Sequence, residues 1–224
     1  INGLSVADKS TVDLGKIGIS TDVVKTITVR NRGTSDLKLK PAYGDDTLTW
    51  FTNFRSGQII PAGGSATIMV QLNTSYLGNR TAQFSIPNSD GDEDGFRATL
   101  NTLIVTNAPE IVVSTGGVEI ADNTGSIDFG SVVSGSSLSK TFTVTNVGVI
   151  DLIAQPLVVP TGFTIIGNFS KNQVIAPGAS VNFTIRLSTS VVGTYSGQVA
   201  ILTNDADERP FDFRILGTVI TPLV

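Results

Sequence analysis

Lys25-Thr26-Ile27-Thr28-Val29-Arg30-Asn31-Arg32-Gly33 returns further along the chain as Lys140-Thr141-Phe142-Thr143-Val144-Thr145-Asn146-Val147-Gly148. In both stretches apolar side chains alternate with mostly polar ones, the pattern of a strand with one buried face. Each run closes on Asn-x-Gly, residue types that tolerate positive φ and mark a turn. The correspondence extends in both directions. Val12-Asp13-Leu14-Gly15 meets Ile127-Asp128-Phe129-Gly130, so Gly15 falls on Gly130, an offset of 115 residues that holds without a gap from about residue 12 to residue 104. Asp36-Leu37 then meets Asp151-Leu152, Gly78 meets Gly193, and Asp90, Asp92, Glu93 and Phe96 meet Asp205, Asp207, Glu208 and Phe211. Roughly three positions in ten are identical, which marks one module duplicated.

The period of two continues in Ile68, Val70 and Leu72 and in Phe183, Ile185 and Leu187, while Pro61-Ala62-Gly63-Gly64 and Ala176-Pro177-Gly178 introduce the strands that carry them. No 3.6-residue period persists. About seven short strands in roughly 110 residues is the signature of a sandwich. The predicted fold is therefore all-β, with two tandem immunoglobulin-like β-sandwich domains related by an internal repeat. The chain has 224 residues, more than the usual single domain of about 100 to 150. The boundary is placed at the Thr106-Asn107-Ala108-Pro109 junction, giving domains 1–107 and 108–224. The second copy carries an additional lead-in, Pro109-Glu110-Ile111-Val112-Val113, and the opening Ile1-Asn2-Gly3 reads as the interior of a longer polypeptide.

Composition narrows the chemistry. The chain has no Cys and no His, which removes thiolate nucleophiles, disulfides and thiolate metal sites together with the commonest general base and zinc ligand. Charged residues make up 15%, against about 25% in a typical soluble domain. The net charge is −4, with Lys and Arg scattered singly, so there is no basic footprint for nucleic acid. Apolar runs such as Val199-Ala200-Ile201-Leu202 are too short to insert this segment into a membrane.

The second copy resembles a bacterial group known as choice-of-anchor D domains, related to the ASH (ASPM, SPD, Hydin) and major-sperm-protein-like immunoglobulin folds. The resemblance is carried by Pro109-Glu110-Ile111, Ile127-Asp128-Phe129-Gly130, Lys140 to Asn146, Ala176-Pro177-Gly178, Gly193-Thr194-Tyr195-Ser196-Gly197 and Thr203-Asn204-Asp205-Ala206-Asp207-Glu208. The first copy matches less closely, with Arg80-Thr81-Ala82 in place of the Tyr-Ser-Gly turn. The resemblance implies a tandem module of long bacterial proteins that are secreted or attached at the cell surface, with eukaryotic relatives in cilia and centrosomes. It brings no catalytic residues with it.

Three sets of residues are candidates for a site. Asp90, Asp92 and Asp94, within Asp90-Gly91-Asp92-Glu93-Asp94-Gly95, have the spacing of the first half of a calcium loop. Asn101 stands at the twelfth position, where a bidentate Glu is required, and the equivalent Asp205-Ala206-Asp207-Glu208-Arg209-Pro210 reads as an acidic hairpin tip. Calcium is the one cofactor the pattern admits; otherwise none is expected. Trp50 and Phe51 could form an aromatic platform for a glycan or peptide, although their counterparts Ile165 and Ile166 are simply apolar and favour core packing. Asp45-Asp46 and Ser139-Lys140 are the nearest approach to catalytic pairs, but neither sits in a recognisable catalytic setting, and Ser139 and Lys140, as neighbours on a strand, would point to opposite faces. The reading is a non-enzymatic structural, adhesive or spacer module of a larger secreted or cell-surface protein, with protein partners or neighbouring repeats. The alternatives are a carbohydrate- or protein-binding accessory module of a secreted enzyme and an intracellular scaffold of the ciliary type.

Overall fold

The computed structural model spans residues 1–224 and describes all of them except 2, 4, 46, 47, 52–56, 92–94, 168, 223 and 224; the side chains of 48–51 are also outside the description. The chain divides into two compact units, Ile1–Thr106 and Asn107–Val224. Every regular element among the described residues is a strand.

The first unit contains β1 (Ser10–Gly18), β2 (Val23–Arg30), β3 (Leu37–Lys38), β4 (Tyr43–Gly44), β5 (Leu48–Phe51), β6 (Ile59–Ile60), β7 (Ser65–Leu72), β8 (Gly78–Pro87) and β9 (Gly95–Val105). They form one sheet in the order β1-β9-β8-β4, a second in the order β2-β7-β5, and the pair β3-β6. The second unit contains β10 (Ile111–Thr115), β11 (Val118–Ile120), β12 (Ser126–Val133), β13 (Leu138–Asn146), β14 (Leu152–Ala154), β15 (Phe163–Ile166), β16 (Gln173–Ile175), β17 (Ser180–Leu187), β18 (Gly193–Ile201) and β19 (Phe211–Ile220). Its sheets run β12-β19-β18 and β11-β10-β13-β17-β15, with the pair β14-β16. The repeat survives in the register: Ile27 faces Ile68 and Phe142 faces Phe183, each 115 residues further on.

The alternation read from the sequence decides which side chains meet between the sheets. Ile68, Val70, Leu72, Phe183, Ile185 and Leu187 are all buried. In the second unit the centre is aromatic: Phe142 and Phe183 stack with centroids 5.1 Å apart, Phe213 lies 5.5 Å from Phe142, and Phe169 lies 5.4 Å from Phe183. Ile27, Ile68 and Ala98 hold the places of Phe142, Phe183 and Phe213 in the first unit, so one frame is filled by different side chains. Each fully buried Phe or Ile stabilises its unit by about 1.5–3 kcal/mol relative to exposure.

The Asp-x-Gly motif bends the strand that opens each sheet. Asp13 accepts a hydrogen bond from the Gly15 amide at 2.8 Å and Asp128 from the Gly130 amide at 2.7 Å. Gly15 and Gly130 take φ of +72° and +82°, a conformation that residues with a Cβ adopt reluctantly. The parallel ladders of β1 with β9 and β12 with β19 shift register at these points, so the motif builds a bulge.

The Asn-x-Gly motifs do something other than the positive-φ turn expected from their residue types. None of Asn31, Gly33, Asn146 and Gly148 is among the positive-φ residues. Asn146 is instead fully buried, at 0% exposure, with its amide spent on the backbone. Nδ2 donates to the carbonyls of Ile150 at 2.7 Å and Ile175 at 2.8 Å; Oδ1 accepts from the amides of Gly148 at 2.9 Å and Glu110 at 3.3 Å. Asn31 repeats this with Ser35, Ile60 and Gly33 at 2.7, 2.9 and 2.9 Å. Gly148 is required by space: a Cβ there would lie 2.5–2.6 Å from backbone atoms of Ala108, Pro109 and Glu110. The Pro-Gly turns complete the joint, since the Ala179 amide donates to Ala176 at 2.9 Å and Gly178, at φ +75°, donates to the Asn146 carbonyl at 2.8 Å.

Asn146→Ala removes the partner of four backbone groups, the buried Ile175 carbonyl and three part-buried ones, and a buried group costs about 1–3 kcal/mol when unpaired. Thermal or denaturant unfolding should show a loss of about 2 kcal/mol or more in the second unit. Asn146→Asp should be no better, because a carboxylate cannot donate to Ile150 and Ile175. A loss below about 1 kcal/mol for either variant contradicts this assignment.

Candidate functional site

The loop 202–210 joins β18 to β19, and its conformation is set by two side chains. Thr203, itself buried, accepts from the Asp205 amide at 3.0 Å and donates to the Glu208 carbonyl at 3.4 Å, which folds the loop back on itself. Asn204 accepts from the Ile153 amide at 2.7 Å and donates to the Asp151 carbonyl at 3.1 Å, pinning the loop against β14. Asp205 is thereby turned inward. It is 1% exposed, and its Oδ2 accepts from the amide of Ile111, the first residue of β10, at 2.8 Å.

Asp205 is therefore not the solvated hairpin tip expected from the sequence. The reason is the lead-in to β10, which lies across the loop and excludes water from it. Among the described residues, Asp205 Oδ1 and Glu208 Oε2 are buried side-chain atoms without a hydrogen-bond partner. One carboxylate oxygen each from Glu110, Asp205 and Asp207 lie within 4.8 Å of one another. Glu110 and Asp207 are exposed, so the group is open to solvent on one side and closed on the other.

Electrostatics follow from that arrangement. Burial pushes the Asp205 carboxyl above its ordinary range, and the like charge of Asp207 adds to the push. Glu208 is raised from 4.5 to about 7, first by burial and then by the charges of Asp205, Glu110, Asp122 and Asp207. Grouped carboxylates of this kind can share a proton or hold a hard cation, since oxygen is the only donor type present.

The residues singled out from the sequence fare differently. Asp90 is exposed, with its amide donating to Asn88 Oδ1 at 2.7 Å, and Asp92 and Asp94 lie outside the described residues. Trp50 and Phe51 pair with Val70 and Met69 through the backbone of β5, while their side chains lie outside the description. Asp45 accepts from the Gln83 amide at 2.7 Å, and Asp46 is outside the described residues. Ser139 and Lys140 alternate along β13; Ser139 is exposed, and the Lys140 ammonium sits 5.9 Å from the centre of the Phe129 ring. Glu110, Asp205 and Asp207 were not singled out as a site. The available signal was the coincidence of Asp90, Asp92 and Glu93 with Asp205, Asp207 and Glu208; nothing local indicates that Glu110 joins them.

A family model for the HYDIN/CFA65/VesB-like, Ig-like domain matches residues 4–101 and again 121–217. No curated protein matches the chain. Among solved structures, a protein of unknown function from Porphyromonas gingivalis W83 is similar over 90% of this chain and 93% of its own, at 14% identity and a TM-score of 0.40. The ASH/PapD-like domain 7 of human CEP192 covers 54% of this chain and 92% of its own, at 12% identity and a TM-score of 0.39. The VesB protease of Vibrio cholerae covers 83% of this chain, which in turn spans 62% of that protease, at 15% identity and a TM-score of 0.37.

Glu208 carries a pH signature. Its folded pKa of about 7 exceeds the ordinary 4.5, so the folded state favours the protonated form. The contribution is fully present below about pH 4.5, declines as pH rises through 4.5 to 7, and is lost above that. Glu208→Gln, which keeps the shape and removes the charge, should melt close to the parent at pH 4.5 and above it at pH 8. Equal differences at the two pH values would contradict the assignment.

Proposed function

The chain belongs to the HYDIN/CFA65/VesB-like Ig-like domain family, and from that premise we propose that it is a non-catalytic structural or adhesive spacer within a larger secreted or cell-surface protein. Its two modules, 1–107 and 108–224, link or present other domains through protein contacts. The observation that carries this reading is a repeated surface feature. Tyr76 and Leu77 are 64% and 52% exposed in the loop before β8, and Val191 and Val192, 115 residues on, are 63% and 49% exposed in the loop before β18. Large apolar side chains kept in solvent at the same loop of both copies suit a protein contact better than a fold requirement. Both copies also commit the same polar residues, Asn31 and Asn146, Asp13 and Asp128, to holding the backbone. The resemblance to choice-of-anchor D modules supports placement outside a bacterial cell.

Single-molecule stretching tests the spacer role. Two separate unfolding events are expected, each releasing roughly 110 residues, or about 350–400 Å of contour length. One event for the whole chain would overturn it. Glycan arrays are expected to be blank; saturable binding to a defined glycan, or hydrolytic activity lost on a single substitution, would replace this reading with an accessory or enzymatic one.

A further inference from the structure

We infer that Glu110, Asp205 and Asp207 form a calcium site, in which one carboxylate oxygen from each converges on the ion and ties the lead-in of β10 to the loop 202–210. The spacing is the first support. Calcium binds oxygen at about 2.3–2.6 Å, so two ligands on opposite sides of one ion stand about 4.6–5.2 Å apart and adjacent ligands stand closer. The three oxygens lie within 4.8 Å of one another, which requires no large rearrangement of the loop.

The second support is the state of Asp205. It is 1% exposed, and while Oδ2 is held by the Ile111 amide, Oδ1 has no hydrogen-bond partner. A buried carboxylate oxygen left in this condition is costly unless a cation or proton meets it.

The donor set selects the ion. All donors are carboxylate oxygens, which excludes preference for softer metals. The exposed sides of Glu110 and Asp207 leave room for water to complete six to eight ligands. Such an irregular, partly aqueous shell suits calcium better than magnesium, which demands near-octahedral geometry. A site of three carboxylates open to solvent belongs in the weak range of extracellular modules, with Kd of about 10⁻⁴ to 10⁻³ M. Asp90, the first-copy counterpart of Asp205, is exposed where Asp205 is buried, so one site per chain is expected.

Titration of chelator-treated full chain with calcium chloride in a calorimeter should give one site per chain. Calcium at roughly 100 times Kd should raise the melting temperature of the second unit by about 5–10 °C. Asp207→Asn and Glu110→Gln, both at exposed positions, should keep the chelated protein folded while weakening binding at least tenfold. Magnesium at the same concentration should give under a third of the shift. Three results overturn the site: neither heat nor a melting shift with 10 mM calcium; parental affinity in both variants; or equal stabilisation by magnesium and calcium that both variants retain.

Discussion

The buried amide of Asn146 is the constraint on which the second module depends, as the first depends on Asn31. Its four hydrogen bonds reach three separate places: the Gly148 and Ile150 backbone just beyond β13, the Ile175 carbonyl that ends β16, and the Glu110 amide ahead of β10. The end of β13 leaves polar backbone groups that are buried or partly buried. One side chain with two donors and two acceptor sites satisfies them together. The turn Ala176 to Ala179 and the close approach permitted by Gly148 then follow from where that amide must sit. The aromatic core packs inside a frame already closed at this corner.

Most of the architecture was legible because it is written in local periodicity. Alternation along 25–30 and 140–146 predicted the strands, and the gapless offset predicted two copies of one fold. The Asn-x-Gly motifs were legible as ends of strands but not in their mechanism. Tolerance of positive φ and the ability to close an Asx turn belong to the same residue type, and only the far partner separates them. That partner is the carbonyl of Ile60 for Asn31 and of Ile175 for Asn146, each 29 residues away. A side chain that reaches so far is invisible to any window of sequence shorter than the reach.

The candidate site was less legible for the same reason. Asp90 to Gly95 looked more like a calcium loop than Asp205 to Pro210 because it carries more carboxylates at alternate places. Carboxylate count carries no information about burial. Asp205 is shielded by Ile111, a residue from the opposite end of the module, and Glu110 arrives with it. No spacing rule joins residue 110 to residue 207; the parallel and antiparallel pairings of the sheets do.

The described parts of the two loops share their anchors and differ in the burial of their first Asp. Thr203 and Asn204 hold their turn much as Asn88 and Ser89 hold theirs: Asn88 accepts from the Asp90 amide at 2.7 Å, and Ser89 accepts from the Lys38 amide at 2.9 Å, the counterpart of Ile153. With equivalent anchors, Asp90 stands exposed and Asp205 is buried. In the second unit β10 pairs with β13, and the Ile111 amide at its head meets Asp205. Burying a carboxylate opposes folding unless its charge is met, so this segment changes the chemistry of a loop it shares no sequence with. Within the second unit the anchors that hold the loop turn Asp205 inward, and the polar residue just ahead of β10 lands beside that acidic turn.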